Sequence, residues 1–204
     1  IPSFIEPVIL VIEYSPYVIF GLGIILSIRF NQGRVFLIIF LLSLSQLFLN
    51  YYAQFSISIA DFSQFLYPLL CLLIPLNIVI IAHLRERGLF SLWGKIRIAF
   101  ILVELVVIYI FAVSNHLAIQ KILNFKFINL SIEKMGMSQT ALLLFLFSLV
   151  YFIIKAFVKN SAFEGRLSAV ILSLFTALFF IHDQLSFSIF LSAAGLMLII
   201  GIIE

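Results

Sequence analysis

A few polar side chains lie inside long apolar stretches of this chain, and these are the residues that could do chemistry. Glu104 follows Arg97 by seven positions, which on a helix places it about 10 Å further along the axis. A carboxyl group inside a bilayer costs several kcal/mol unless it is protonated or paired. We therefore expect Glu104 to face protein or water, either as a hydrogen-bonded packing group, as a switch contact or as part of a buried ligand site.

Other polar and small residues recur at helical spacing, and residues three, four and seven apart share one face of a helix. Three such faces are Ser43, Gln46 and Asn50; Gln64, Pro68, Cys71 and Pro75; and Ser188, Ser192 and Gly195. Pro75 cannot donate to the carbonyl of Cys71, and the nearby Asn77 could help to satisfy that break. These faces predict either close helix contacts, which small residues allow, or the lining of a pocket.

A second group of ionisable residues falls between the apolar stretches. His182 and Asp183, together with His116, Asp61 and Glu13, could bind a cation or a polar ligand. No spacing typical of a metal site, such as His-Glu-x-x-His, occurs among them, so we assign no metal ligand. The candidate ligand-binding residues are Glu104, Gln46, Gln64, Asn77, His116, His182 and Asp183, and the candidate conformational switches are Pro68 and Pro75.

Several membrane chemistries need residues that this sequence lacks. The last apolar stretch has no lysine for a retinal Schiff base, and no Gly-x-Ser-x-Gly or His-Glu-x-x-His motif is present. We therefore expect no catalytic residue, no enzymatic activity in this chain and no cofactor.

Composition identifies the class of protein that positions these residues. Apolar residues make up 64% of the chain and charged residues 10%, and the mean hydropathy is +1.28. These values are typical of an integral membrane protein, with membrane lipids as its surroundings. The net charge of +3 indicates membrane topology and attraction to anionic lipid, so no nucleic-acid partner is expected.

Seven apolar stretches are long enough to cross a bilayer, because about 20 helical residues span a hydrocarbon core of about 30 Å. The predicted crossings are residues 7–28, 35–53, 62–84, 96–114, 140–158, 167–181 and 187–203. We thus predict a single all-α domain over residues 1–204, a polytopic transmembrane helical bundle. The sixth stretch is short, and a tilted hairpin or a re-entrant pair would be an alternative there.

The distribution of basic residues predicts the orientation of this bundle. Nine of the 12 lysines and arginines lie in three short segments, residues 29–34, 85–97 and 155–166. Basic connections remain in the cytoplasm. Seven crossings then place the N-terminus outside the cell and Glu204 in the cytoplasm.

Several stretches resemble the membrane-embedded sensory modules that precede the catalytic domain of bacterial GGDEF-type diguanylate cyclases. They are Arg29-Phe30-Asn31-Gln32-Gly33-Arg34, Pro68-Leu69-Leu70, Leu73-Ile74-Pro75-Leu76-Asn77, Arg85-Glu86-Arg87-Gly88-Leu89 and the ending Ile200-Gly201-Ile202-Ile203-Glu204. The resemblance implies a multi-pass protein of the bacterial inner membrane. It also implies signal transduction to a cytoplasmic domain after Glu204 that makes cyclic di-GMP, and a homodimer. This chain contains no GGDEF signature, so no catalytic residue transfers onto it.

The function expected from these observations is that of a sensory input domain, or receptor, that relays a hydrophobic or small-molecule ligand, or a state of the membrane, to the cytoplasm. The proline-containing third stretch would be its bistable element. Two alternatives from other classes stay open, a small transporter or permease and a membrane scaffold or assembly protein. Substrate flux in liposomes would distinguish the first of these, and a tight partner complex without a ligand the second.

Overall fold

The computed structural model describes residues 2–55, 60–84, 88–113 and 137–203, which contain seven α-helices and no strand. The helices are α1 Pro2–Arg29, α2 Gly33–Phe55, α3 Ala60–His83, α4 Leu92–Val113, α5 Gln139–Lys159, α6 Ala162–Phe179 and α7 Gln184–Ile203. The all-helical prediction is confirmed. Two helices begin five residues before their predicted starts, α1 at Pro2 and α6 at Ala162. The first turn of α6 contains Glu164, and an ion pair with Lys155 allows this charged residue to enter the helix.

Within the described part of the chain, five helices are long and apolar enough to cross a membrane. They are Pro7–Arg29, Gly33–Asn50, Gln139–Lys159, Ala162–Phe179 and Gln184–Ile203. A shorter apolar helix, Tyr67–His83, lies within α3. Large apolar side chains on the outer faces, such as Val11 on α1 and Phe157 on α5, are exposed, as expected where a bundle meets lipid.

Six helices pack in a closed ring in the order α1, α2, α3, α5, α6 and α7, with α7 returning to α1. The helix α4 lies outside this ring and packs less extensively, against α3 and α2. The core inside the ring is apolar and includes Phe20, Ile38, Phe145 and Phe152, each at most 2% exposed. The predicted antiparallel hairpin of the last two helices is present, since α6 and α7 pack along each other and are joined by residues 180–183.

The small residues of α7 form its contact with α1. Ser188, Ser192 and Gly195 are buried, and the hydroxyls of Ser192 and Ser15 are 2.7 Å apart. A Cβ atom added at Gly195 would lie 2.7 Å from Cγ2 of Ile19, so only glycine permits this approach. The helix-contact interpretation of this face is therefore correct.

The three basic segments meet at one end of the bundle, which we call the basic end. Asn31, between α1 and α2, accepts a hydrogen bond of 2.9 Å at Oδ1 from the backbone N–H of Leu89, between α3 and α4. The guanidinium of Arg34 lies 4.6 Å from the ring centroid of Phe163 on α6. Gln32 donates to the carbonyl of Ile202 at the end of α7, at 3.4 Å. Three of the stretches that carry the sequence resemblance thus come together at this end.

Candidate ligand cleft between α3 and α4

A cavity of about 440 Å³ lies between α3 and α4, and we call it the α3–α4 cleft. Its volume is within the range of small-molecule sites, about 300–1,000 Å³. The lining residues are Leu37, Asn77, Ile80, Ile81, Leu84, Trp93, Ile96, Arg97, Phe100 and Ile101. Most of this lining is apolar, so the cleft suits a largely apolar molecule that carries a small polar group.

The spacing of residues on α4 determines which of its side chains face the cleft. Trp93, Arg97, Phe100 and Glu104 follow one another at intervals of four, three and four residues and therefore share one face. This face is directed at α3, while Val103, on another face of α4, is 59% exposed. Among the described residues, α4 packs less extensively against its two neighbours than the helices of the ring pack against theirs, and the cleft lies along this contact.

Asn77 and Glu104 meet at one end of the cleft. The side-chain nitrogen of Asn77 donates to both carboxylate oxygens of Glu104, at 2.8 and 3.0 Å. Asn77 is 5% exposed and Glu104 is half-buried. Glu104 thus faces protein, one of the two environments expected for it, and is hydrogen-bonded to α3. The amide nitrogen of Asn77 is directed at this carboxylate rather than at the carbonyl of Cys71.

The Asn77–Glu104 pair lies between the cleft and a small space enclosed by α2, α3 and α4. Asn77 and Ile101 line the cleft and also this space of about 20 Å³, which Ser45 and Glu104 line as well. A change in this pair would therefore alter the contacts of α4 with both α3 and α2.

Gln46 lies deeper in the ring and is 2% exposed. Its Oε1 atom has no hydrogen-bond partner among the described residues. The adjoining space is only about 10 Å³, at the lower limit for holding one water molecule. Gln46 is thus a core residue of α2 that does not line the α3–α4 cleft.

The remaining candidate residues do not join this site. His182 and Asp183 are exposed in the connection between α6 and α7, at the end of the bundle opposite the basic end, and Asp183 accepts a hydrogen bond from Ser186. Among the described residues no group of three or more potential metal ligands occurs. His116 and the side chain of Gln64 lie outside the described residues. Pro68 and Pro75 are buried within α3, which is helical on both sides of each.

Sequence reasoning missed two residues of the cleft. Trp93 and Arg97 were not among the candidate residues, yet both line the cavity. The spacing of Arg97, Phe100 and Glu104 along one face of α4 was the signal available in the sequence.

A polar network at the basic end was also missed. The hydroxyl of Tyr151 lies 2.6 Å from Nε2 of His83, which joins α5 to α3. Lys155 lies 5.4 Å from the ring centroid of Tyr151 and 3.3 Å from a carboxylate oxygen of Glu164 on α6. Three helices of the ring are therefore tied together next to the connections that carry the basic residues.

Comparisons with protein-family models, with curated proteins and with solved structures found no match to this chain.

Proposed function

We propose that this chain is a membrane-embedded sensory module that binds a largely apolar ligand in the α3–α4 cleft and relays its presence to a cytoplasmic signalling domain. One observation carries the proposal, a cavity of about 440 Å³ beside the Asn77–Glu104 pair, at the helix that packs least extensively among those described. A ligand that wedges between α3 and α4 would favour one position of α4 over another. If the ligand binds one position of α4 more favourably by about 1.4 kcal/mol, the ratio of the two populations changes tenfold.

The proposed topology has seven crossings, with the N-terminus outside and the C-terminus in the cytoplasm of the bacterial inner membrane. The meeting of the basic segments at one end of the bundle supports it, because such residues stay on the cytoplasmic side. Reporter fusions behind Glu204 and within residues 88–91 should both report the cytoplasm, and a fusion at residues 182–183 the periplasm. A periplasmic signal behind Glu204 would contradict this topology.

The proposed output is cyclic di-GMP synthesis by a diguanylate cyclase domain after Glu204, in a homodimer. The sequence resemblance supports it, and three of the resembling stretches are in contact at the basic end. In this arrangement a movement of α4 would reach Asn31 through Leu89, and the end of α7 through Gln32.

Ligand binding can be tested with the intrinsic fluorescence of the chain, because its single tryptophan, Trp93, lines the cleft. The probe is the methyl ester of a nitroxide-labelled stearic acid, titrated into the chain in lipid nanodiscs. We expect saturable quenching of Trp93. The matched reporter combines Trp93→Phe with Phe157→Trp, because Phe157 is 84% exposed near the basic end and samples bulk lipid. Equal, unsaturable quenching of both reporters would overturn the proposal.

Substitutions that fill the cleft provide the second arm of this test. Ile80→Phe combined with Ile96→Phe narrows the cavity from both helices and should remove the saturable quenching. The matched control combines Leu76→Phe with Val103→Phe, on the same two helices but away from the cleft lining, and should retain it.

The same two pairs of substitutions test the signalling role in the protein that contains the cytoplasmic domain. The pair that fills the cleft should change cellular cyclic di-GMP at least about threefold, and the control pair should leave it unchanged. If the two pairs gave the same level of cyclic di-GMP, the cleft would not be the sensory site.

A further inference from the structure

We infer that the ligand of the α3–α4 cleft is an amphiphile with an anionic headgroup, and that Arg97 holds this headgroup. The inference rests on the proposed function of the cleft and adds the chemical class of the ligand. The shared chemistry is a carboxylate or phosphate group on an acyl chain, as in a fatty acid or an anionic phospholipid.

The polarity of the cleft changes along its length. Trp93 and Arg97 lie towards the basic end, in the first two turns of α4. Apolar side chains, among them Phe100 and Ile101, line the stretch that follows. An amphiphile that binds parallel to α4 would therefore place its charged group near Arg97 and its acyl chain against the apolar side chains that follow.

The position of Arg97 defines the direction of the ligand. The guanidinium of arginine presents a planar fork of N–H donors that matches a carboxylate or a phosphate. The carboxyl group of Glu104, about 10 Å further along α4, does not line the cleft, and its two oxygens already accept from Asn77. The headgroup is thus favoured at Arg97, and the acyl chain lies along the apolar wall that follows.

The cleft opens at the outer surface of the bundle, which faces lipid in the proposed topology. Its lining residues Ile80, Ile96 and Phe100 are 41%, 50% and 60% exposed on the outer surface of the bundle. A molecule dissolved in the leaflet at the basic end can enter sideways between α3 and α4. A phospholipid could insert one acyl chain and leave the other in the bilayer.

The test compares nitroxide-labelled stearic acid with its uncharged methyl ester, each titrated against Trp93 in phosphatidylcholine nanodiscs at alkaline pH, where the acid is ionised. We expect the acid to saturate at a concentration at least about tenfold lower than the ester, the gain typical of one charged hydrogen bond. Arg97→Gln should abolish this difference. Arg97→Lys, which keeps the charge, should preserve part of it and provides a second variant if Arg97→Gln does not fold.

A matched control distinguishes binding of the anion by Arg97 from general attraction to positive surface charge. Lys95→Gln removes the same charge two positions away, from an exposed residue that does not line the cavity, and should keep the preference for the acid. A second comparison distinguishes a phospholipid from a fatty acid as the source of the anionic headgroup. It measures the quenching of Trp93 by spin-labelled phosphatidylglycerol and by spin-labelled phosphatidylcholine. Preference for the labelled phosphatidylglycerol supports a phospholipid, and preference for the acid alone supports a fatty acid.

The outcomes that would overturn the inference differ from those that would overturn the proposed function. Equal, saturable binding of acid and ester would refute an anionic ligand while leaving an apolar ligand in the cleft. An acid preference that Lys95→Gln removes and Arg97→Gln retains would also refute it. Absence of saturable quenching with every probe would refute the cleft as a ligand site altogether.

Discussion

The side-chain nitrogen of Asn77 on α3 donates to both carboxylate oxygens of Glu104 on α4, at 2.8 and 3.0 Å. This relationship joins α4, which among the described helices lies outside the ring, to α3 of the ring. It also gives a half-buried acid its hydrogen-bond donor, which matters because an unsatisfied polar group in an apolar medium is costly.

Replacing Asn77 with leucine should destabilise the protein by about 2 kcal/mol, because Glu104 keeps its position and loses this donor. The measurement is the free energy of unfolding in micelles, followed by circular dichroism. The double variant Asn77→Leu with Glu104→Leu should recover most of the loss, since two apolar partners leave no unsatisfied group. If the double variant were less stable than the single one, the pair would not be the source of the effect.

Gly195→Ala should weaken the contact between α7 and α1 by about 1–3 kcal/mol, through overpacking. The added methyl group would lie 2.7 Å from Cγ2 of Ile19 and 2.8 Å from Cε1 of Phe20. Gly21→Ala on α1 is the matched control, because no heavy atom lies within 4 Å of its added Cβ. Thermal unfolding of both variants measures the difference, and equal midpoints would argue against close packing at Gly195.

Gly88→Ala should disturb the basic end without unfolding the bundle. Its Cβ atom would lie 2.5 Å from Nδ2 of Asn31 and displace that side chain from the N–H of Leu89. The expected loss is about 1 kcal/mol, the net value of one hydrogen bond. Asn31→Gly, which tolerates the positive φ of 53° at this position, should cost a similar amount. The double variant should be little less stable than either single variant, because both substitutions remove the same hydrogen bond. If the two losses of stability were fully additive, the substitutions would act on separate contacts.

Lys155→Met should destabilise the protein by about 3 kcal/mol, because it leaves the Glu164 carboxylate almost buried without its cation. The two side chains are 12% and 8% exposed and lie 3.3 Å apart. The matched control is Lys159→Met on the same helix, where the lysine is exposed and a change within about 0.5 kcal/mol is expected. Chemical unfolding of both variants is the measurement. Equal losses at the two positions would mean that the ion pair contributes nothing specific.

Much of the fold follows from local properties of the sequence. Each apolar stretch became a helix because a backbone in lipid must satisfy its own hydrogen bonds. The short turn before Gln184 required an antiparallel hairpin, and the small residues around Gly195 predicted a close helix contact. The start of α6 was less predictable, because the charged Glu164 enters the helix through a partner on α5.

The candidate site was predictable only in part. Glu104 and Asn77 could each be chosen as a polar residue inside an apolar stretch, but their sequence separation says nothing of their contact. Gln46 was chosen on the same grounds and lies in the core instead, and His182 lies at the opposite end of the bundle. Arg97 and Trp93 were not chosen, because hydropathy and charge do not show which neighbouring helix a residue faces.

The sequence by itself therefore determined the class of protein, the positions of its helices and the concentration of its basic residues in three segments, because hydropathy and charge act residue by residue. Only the tertiary structure decided that α4 lies outside the ring, that Asn77 meets Glu104 and that a cavity opens beside them. The physical reason is that lipid and helix are equally apolar, so hydropathy does not distinguish one helix neighbour from another. That choice depends on the shapes of small residues and on a few polar pairs between helices.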